Sequence, residues 1–143
     1  MPYNEYSKLK ALAEQVIKHL LLDAEIVGVK FDWPTILIDR REATKMLKGQ
    51  VYLMCESKFK VFEEPPTVYS NVEEEMANIS KDDEIKIIAS LRHDKIVDVF
   101  LGETEPHLII FFESGKTLFL NGHHSKFEPW ELGVWFPDKD EDF

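Results

Sequence analysis

Apolar side chains recur early in the chain as Leu9, Leu12, Ala13, Val16, Ile17, Leu20 and Leu21. This i, i+3, i+4, i+7, i+8 spacing marks a helix that buries one stripe. Lys8, Lys10, Glu14, Gln15 and Lys18 occupy the other positions and are expected to face water. Asn4 suits the cap, and Glu5 suits the positive end of the helix dipole, so the helix is predicted from residue 5 to 22. The period then shortens to two. Val27, Val29 and Phe31 alternate with Gly28 and Lys30, which reads as a strand. Asp32-Trp33-Pro34 interrupts it, and Thr35 to Ile38 forms a second β-branched run. Asp39 with Glu42 resembles a capping box, with Gly49 as a stop, and predicts a short helix or ordered loop. Val51 to Cys55 and Lys58 to Phe62 read as further strands, closed by Pro65-Pro66, which cannot donate to a ladder.

Ser80, followed by Asp83, opens a second helix through Ile85, Ile88 and Leu91 to about His93. Val97, Val99 and Leu101 then alternate on one face of a strand. Leu108 to Phe112 and Thr117 to Leu120 flank the turn Glu113-Ser114-Gly115-Lys116, where glycine supplies the positive φ. The Phe127 to Val134 segment follows, beside Trp130 and Trp135. The halves echo each other. A helix ends before Ile26-Val27-Gly28-Val29, and a second ends before Ile96-Val97-Asp98-Val99. Each is followed by another apolar strand. Neither half buries its own sheet face. The expected fold is α+β: a mostly antiparallel sheet with two main helices, built from pseudo-duplicated helix-then-strands units at about 5–62 and 80–135. Residues 1–143 are read as one domain ending in an acidic tail, 138–143.

At 143 residues, with 44% hydrophobic and 31% charged side chains, the composition is globular. Cys55 stands alone, in an apolar strand, so no intrachain disulfide exists and a buried thiol is expected. A lone reduced cysteine, with no signal-like start, fits the cytoplasm. No apolar run approaches the ~18 residues of a membrane span. The net charge of -10 is concentrated in two places. Residues 63–84 carry Glu63, Glu64, Glu73, Glu74, Glu75, Asp82, Asp83 and Glu84 against Lys81. The tail carries Asp138, Asp140, Glu141 and Asp142 against Lys139. Such a surface disfavours nucleic acid, which needs clustered Lys and Arg, and attracts a basic protein. Solvated, solubilising segments are the plainer account of the same charges.

The stretch Leu108-Ile109-Ile110-Phe111-Phe112-Glu113-Ser114-Gly115-Lys116-Thr117-Leu118, followed by Phe127-Glu128-Pro129-Trp130-Glu131-Leu132, resembles an uncharacterised family of small bacterial proteins. Its members close on an aromatic-Glu-x-Trp motif and are similar to toxin immunity proteins. The resemblance covers about two thirds of the chain. It implies a binding role and carries no catalytic residue. The first helix and the acidic 63–84 stretch depart from the family plan.

The six glycines are scattered, so no phosphate-cradling loop is formed. His123, His124 and Glu128 are the best metal candidates by residue type, but Gly122 and Pro129 bracket them, and a polar turn is the reading adopted. No cofactor is expected. Glu128-Pro129-Trp130-Glu131 offers a binding edge, since Trp favours interface hot spots; the plainer alternative packs Trp130 over the sheet. Glu73 and Glu75 read as a solvated acidic face, not an acid–base pair. The sequence therefore predicts a non-enzymatic binding protein, an immunity protein against a basic toxin, with Glu73, Glu74, Glu75, Glu128, Trp130, Glu131, Asp138 and Asp140 as partner contacts. A homo-oligomeric structural or regulatory module is the alternative. Neither nucleic acid nor membrane is expected as a partner.

Overall fold

The computed structural model describes residues 3–31, 34–39, 50–123 and 129–135. Helix α1 spans Tyr3–Leu21. The strands β1 (Glu25–Lys30), β2 (Thr35–Asp39), β3 (Gln50–Cys55) and β4 (Phe59–Phe62) follow. After a 3-10 turn at Glu73–Glu75 come helix α2 (Lys81–Ala89) and β5 (Ile96–Leu101), β6 (Leu108–Phe112), β7 (Thr117–Leu120) and β8 (Trp130–Trp135). The fold is α+β, as the patterning predicts. Its strands form two antiparallel sheets, ordered β1-β2-β3-β8 and β4-β7-β6-β5, where one sheet was expected. The reason is an exchange of strands. The fourth strand of each half leaves its own half and pairs with the third strand of the other, β4 on β7 and β8 on β3.

The echo in the sequence is an echo in space. Ala24 N donates to Leu21 O, and Asp94 N donates to Leu91 O. Asp23 and His93 both adopt positive φ, 66° and 72°, where each helix gives way to its strand. Asp23 N donates to Ile96 O, and His93 N to Ile26 O; Ile26 N donates to Asp94 O, and Ile96 N to Ala24 O. These reciprocal bonds sew the two halves together beside the bridge between Glu25 and Lys95. Both first strands carry a register shift, between Ile26 and Gly28 and between Ile96 and Asp98. The second shift corrects the expected face of β5. Val97 is exposed at the bulge, and Ile96, Val99 and Leu101 face the core instead. A bulge adds one residue and so breaks strict alternation.

The inner faces of both sheets share one hydrophobic cluster with Ile17 and Leu21 of α1, and with Ile88 and the following Leu91 at the end of α2. Each helix packs beside the first strand of the opposite half, α1 on β5 and α2 on β1. That placement reorients α1. Glu14 Oε2 accepts from Leu101 N at 2.8 Å, which satisfies a backbone donor of the edge strand β5. Lys18 lies 3.8 Å from Asp98 and over the Phe100 ring. Lys10, Glu14 and Lys18 are therefore half-buried, while Leu9, Leu12 and Val16 face solvent. Part of the expected polar face is thus turned toward the protein, because long charged side chains cover apolar surface with their stems, while Lys8 and Gln15 stay exposed as expected. The capping expectation for α2 holds: Asp83 N donates to Ser80 Oγ at 3.1 Å. The helix or loop expected at 40–49 lies outside the described residues. No helix among them is long and apolar enough to cross a membrane.

Candidate partner-binding surface

Beyond β4 the chain bends at Glu63-Glu64 and again at Thr67, and the acidic segment returns as a strap across the outer face of the second sheet. Tyr69 stacks on Phe119 with ring centroids 4.9 Å apart and meets the Phe62 ring edge-on. Asn121 Nδ2 donates to Ser70 O at 2.9 Å. Lys58 donates its backbone N–H to Glu73 Oε2 at 2.8 Å and its Nζ to Met76 O at 3.1 Å. The segment that composition suggested as a solvated run is thus tied to the sheet at several points.

The strap, β4 and the side of α2 enclose an open cleft of 750 Å³. Val61, Phe62, Met76, Ile79 and Ile87 give it apolar walls, and Glu63 and Glu75 add two carboxylates against one ammonium, that of Lys60, which lies over the Phe62 ring. Val68, at 79% exposure, and Ile79, at 37%, stand open to solvent at its edge. Asp82 and Asp83 lie exposed at the start of α2. Five consecutive residues, Phe59 to Glu63, border the cleft. Both faces of a strand contribute to a cavity in this way when the cavity runs along the strand's side. β4 is an outermost strand of its sheet, so that side is its free one.

A second cleft, of 510 Å³, lies on the same face of the sheet, toward α1. Phe100, Ile109, Phe111 and Phe119 are among its lining residues, with Lys10 and Glu14 on the helix side and His107 as well. Phe119 belongs to both clefts, so the Tyr69 strap stands between them. Gly122 N donates to His107 Nδ1 at 2.7 Å. The Nδ1 lone pair is therefore engaged, and the neutral ring carries its proton on Nε2. Burial pushes the His107 pKa below its usual value, Glu105 opposes that shift, and His123 adds to it. Cys55 is buried in the core, where desolvation, and then the charge of Glu84, push its thiol pKa well up. That environment keeps it a thiol, as its apolar strand suggested.

The sequence-predicted contacts divide among several places. Glu73 is half-buried and holds Lys58, Glu74 is exposed, and Glu75 lines the larger cleft. Trp130 packs partly against the core, and its Nε1 donates to Pro106 O at 2.6 Å. Glu131 lies on the outer face of the first sheet, where it accepts from Tyr52 OH at 2.6 Å. That bond, then burial and the charge of Glu131, raise the Tyr52 pKa. Trp135 stacks on Tyr52, and Lys30 lies over Trp135. The acidic strap and the Trp130–Glu131 edge thus belong to different sheets. Glu128, Asp138 and Asp140 lie outside the described residues. His123 Nδ1 is paired with Glu105 at 2.7 Å. His124 lies outside the described residues, and among those described no group of three metal-ligating side chains forms. Sequence reasoning missed Val68 and Ile79 as surface features, although an apolar residue inside an acidic run was a readable signal.

The class that the fold defines is a two-sheet α+β protein of interlocked halves with an acid-lined cleft beside an edge strand. No protein-family model, curated protein or solved structure matches the chain.

Proposed function

We propose that this is a non-catalytic binding protein of the bacterial cytoplasm, an immunity protein that neutralises a basic toxin, and that its cleft beside β4 makes the contact. The observation that carries this reading is the combination of Glu63 and Glu75 with exposed Val68 and Ile79 around one cleft. Exposed apolar side chains supply desolvation energy, and nearby carboxylates favour Lys and Arg. The acids that unbalance the chain in residues 63–84 lie on this strap and at the start of α2. Tethering by Tyr69, Ser70 and Glu73 holds part of the surface in place before binding, which reduces the ordering cost.

The test is capture of partners from the native cell at about 0.01 M and about 1 M salt, where the screening length falls from about 30 Å to about 3 Å. A basic protein that associates more slowly at the higher salt is expected. Capture indifferent to salt, or no basic protein at all, contradicts the reading. The second reading, a homo-oligomer, is favoured by the solvent-facing stripe Leu9, Leu12 and Val16 on α1. Light scattering distinguishes it: a dimer that becomes a monomer in the Leu12→Lys variant supports self-association, and a wild-type monomer removes that reading.

A further inference from the structure

Resting on the reading of the protein as a binder of a basic partner, we infer that the partner supplies an extended segment bearing Lys or Arg, which adds to β4 as a fifth strand of the second sheet. Three features place it there. The first is the direction of the β4 backbone. Asn121 N donates to Lys58 O at 3.0 Å, so residue 58 faces β7. In an antiparallel ladder the facing residues alternate. With Lys60 opposite Phe119 and Phe62 opposite Thr117, Phe59 and Val61 turn their N–H and C=O groups away from β7; Phe59 is buried at the strap end of β4, and Val61 is the half-buried position that opens on the cleft. The outward N–H and C=O of Val61 are the template that an added strand reads.

The second feature is room. The cleft runs beside this edge, and its 750 Å³ is bordered by every residue from Phe59 to Glu63. A four-residue strand is about 13 Å long. The helix α1 covers the opposite edge strand, where Glu14 already accepts from Leu101 N. The third feature is chemistry. Apolar side chains of the added strand meet Phe62, Val68 and Ile79, while Lys or Arg side chains meet Glu63 and Glu75. Main-chain pairing supplies affinity, and these alternate contacts supply the preference for a basic sequence.

The full chain, labelled for amide NMR, is titrated at low salt with a capped synthetic hexapeptide of alternating Lys and Val. Shifts centred on the Val61 amide are expected. The same peptide N-methylated throughout keeps its charges and side chains but loses its donors, and should bind at least tenfold more weakly. The exposed double variant Glu63→Lys, Glu75→Lys should weaken the unmodified peptide by a similar factor. Equal binding of both peptides, shifts elsewhere, no binding, or tighter binding of a helical Lys/Leu peptide of equal charge overturns strand addition. Val61→Pro removes one outward donor and leaves the ladder to β7 intact; the N-methylated peptide tests the same bond without touching the protein. If the folded proline variant captures a basic partner with undiminished affinity, edge pairing is wrong and the binding reading stands. If the native chain captures no basic partner, the binding reading falls whatever the peptides do.

Discussion

Gly122 N and His107 Nδ1 share a hydrogen bond that only a neutral imidazole can accept. Burial holds the His107 pKa below 6.5 in the folded chain. As pH falls through 6.5, the unfolded chain takes up a proton that the folded chain refuses, so stability falls with acidification. His107→Asn keeps an acceptor near the Nδ1 position and cannot be protonated in this range. Its urea midpoint should lose less than that of the wild type between about pH 7.5 and about pH 5.5. Glu84 works in the opposite sense. Burial raises its pKa above 4.5, against the opposing charge of Lys81. The folded chain therefore prefers it protonated, and stability is lost as pH rises through its folded pKa. Glu84→Gln should raise the urea midpoint at neutral pH; a lower midpoint there contradicts this account of the carboxyl. Gly122 is fixed by space, because a Cβ there would overlap the Pro106 carbonyl. Gly122→Ala should cost about 1–3 kcal/mol in chemical denaturation.

Helix α1 shows how far periodicity carries. Its extent was readable from the stripe to within two residues, but Asn4, expected as the cap, lies inside the helix, which begins at Tyr3. Its rotation was not, because a hydrophobic stripe wider than the available groove leaves some apolar positions outside. Here Ile17 and Leu21 enter the core, Leu12 stays 61% exposed, and Lys10, Glu14 and Lys18 lie along β5. Ile17→Ala should cost about 2–5 kcal/mol. Leu12→Gln should stay within about 0.5 kcal/mol of the wild type. Equal losses in urea denaturation would place the helix the other way round. The Ser80 cap and the Gly115 turn, with φ of 99°, were legible because each depends on neighbouring residues alone. The bulges at Val27 and Val97 were not legible, since a bulge leaves the apolar count unchanged and shifts only the face.

For the whole molecule, the duplication was visible in the sequence but the exchange was not. Three residues, Glu56 to Lys58, separate β3 from β4, a spacing that suits a simple hairpin. Long-range contacts decide otherwise. Glu56 and Ser57 donate to Pro129 O, Ser57 Oγ bonds to Asn121 O, and Lys58 O receives Asn121 N. Each half thus lends a strand to the other, and neither sheet is complete without both. The surface was legible to a different degree. The acids of 63–84 announced themselves by charge, while the cleft that places Glu63 and Glu75 beside Val68 depends on Tyr69 folding back onto Phe119. Calorimetric titration of the captured basic partner against Glu63→Lys, Glu75→Lys at low salt tests the binding claim most directly. At least a tenfold loss of affinity, with the thermal midpoint unchanged, is the expected result; undiminished affinity would contradict it.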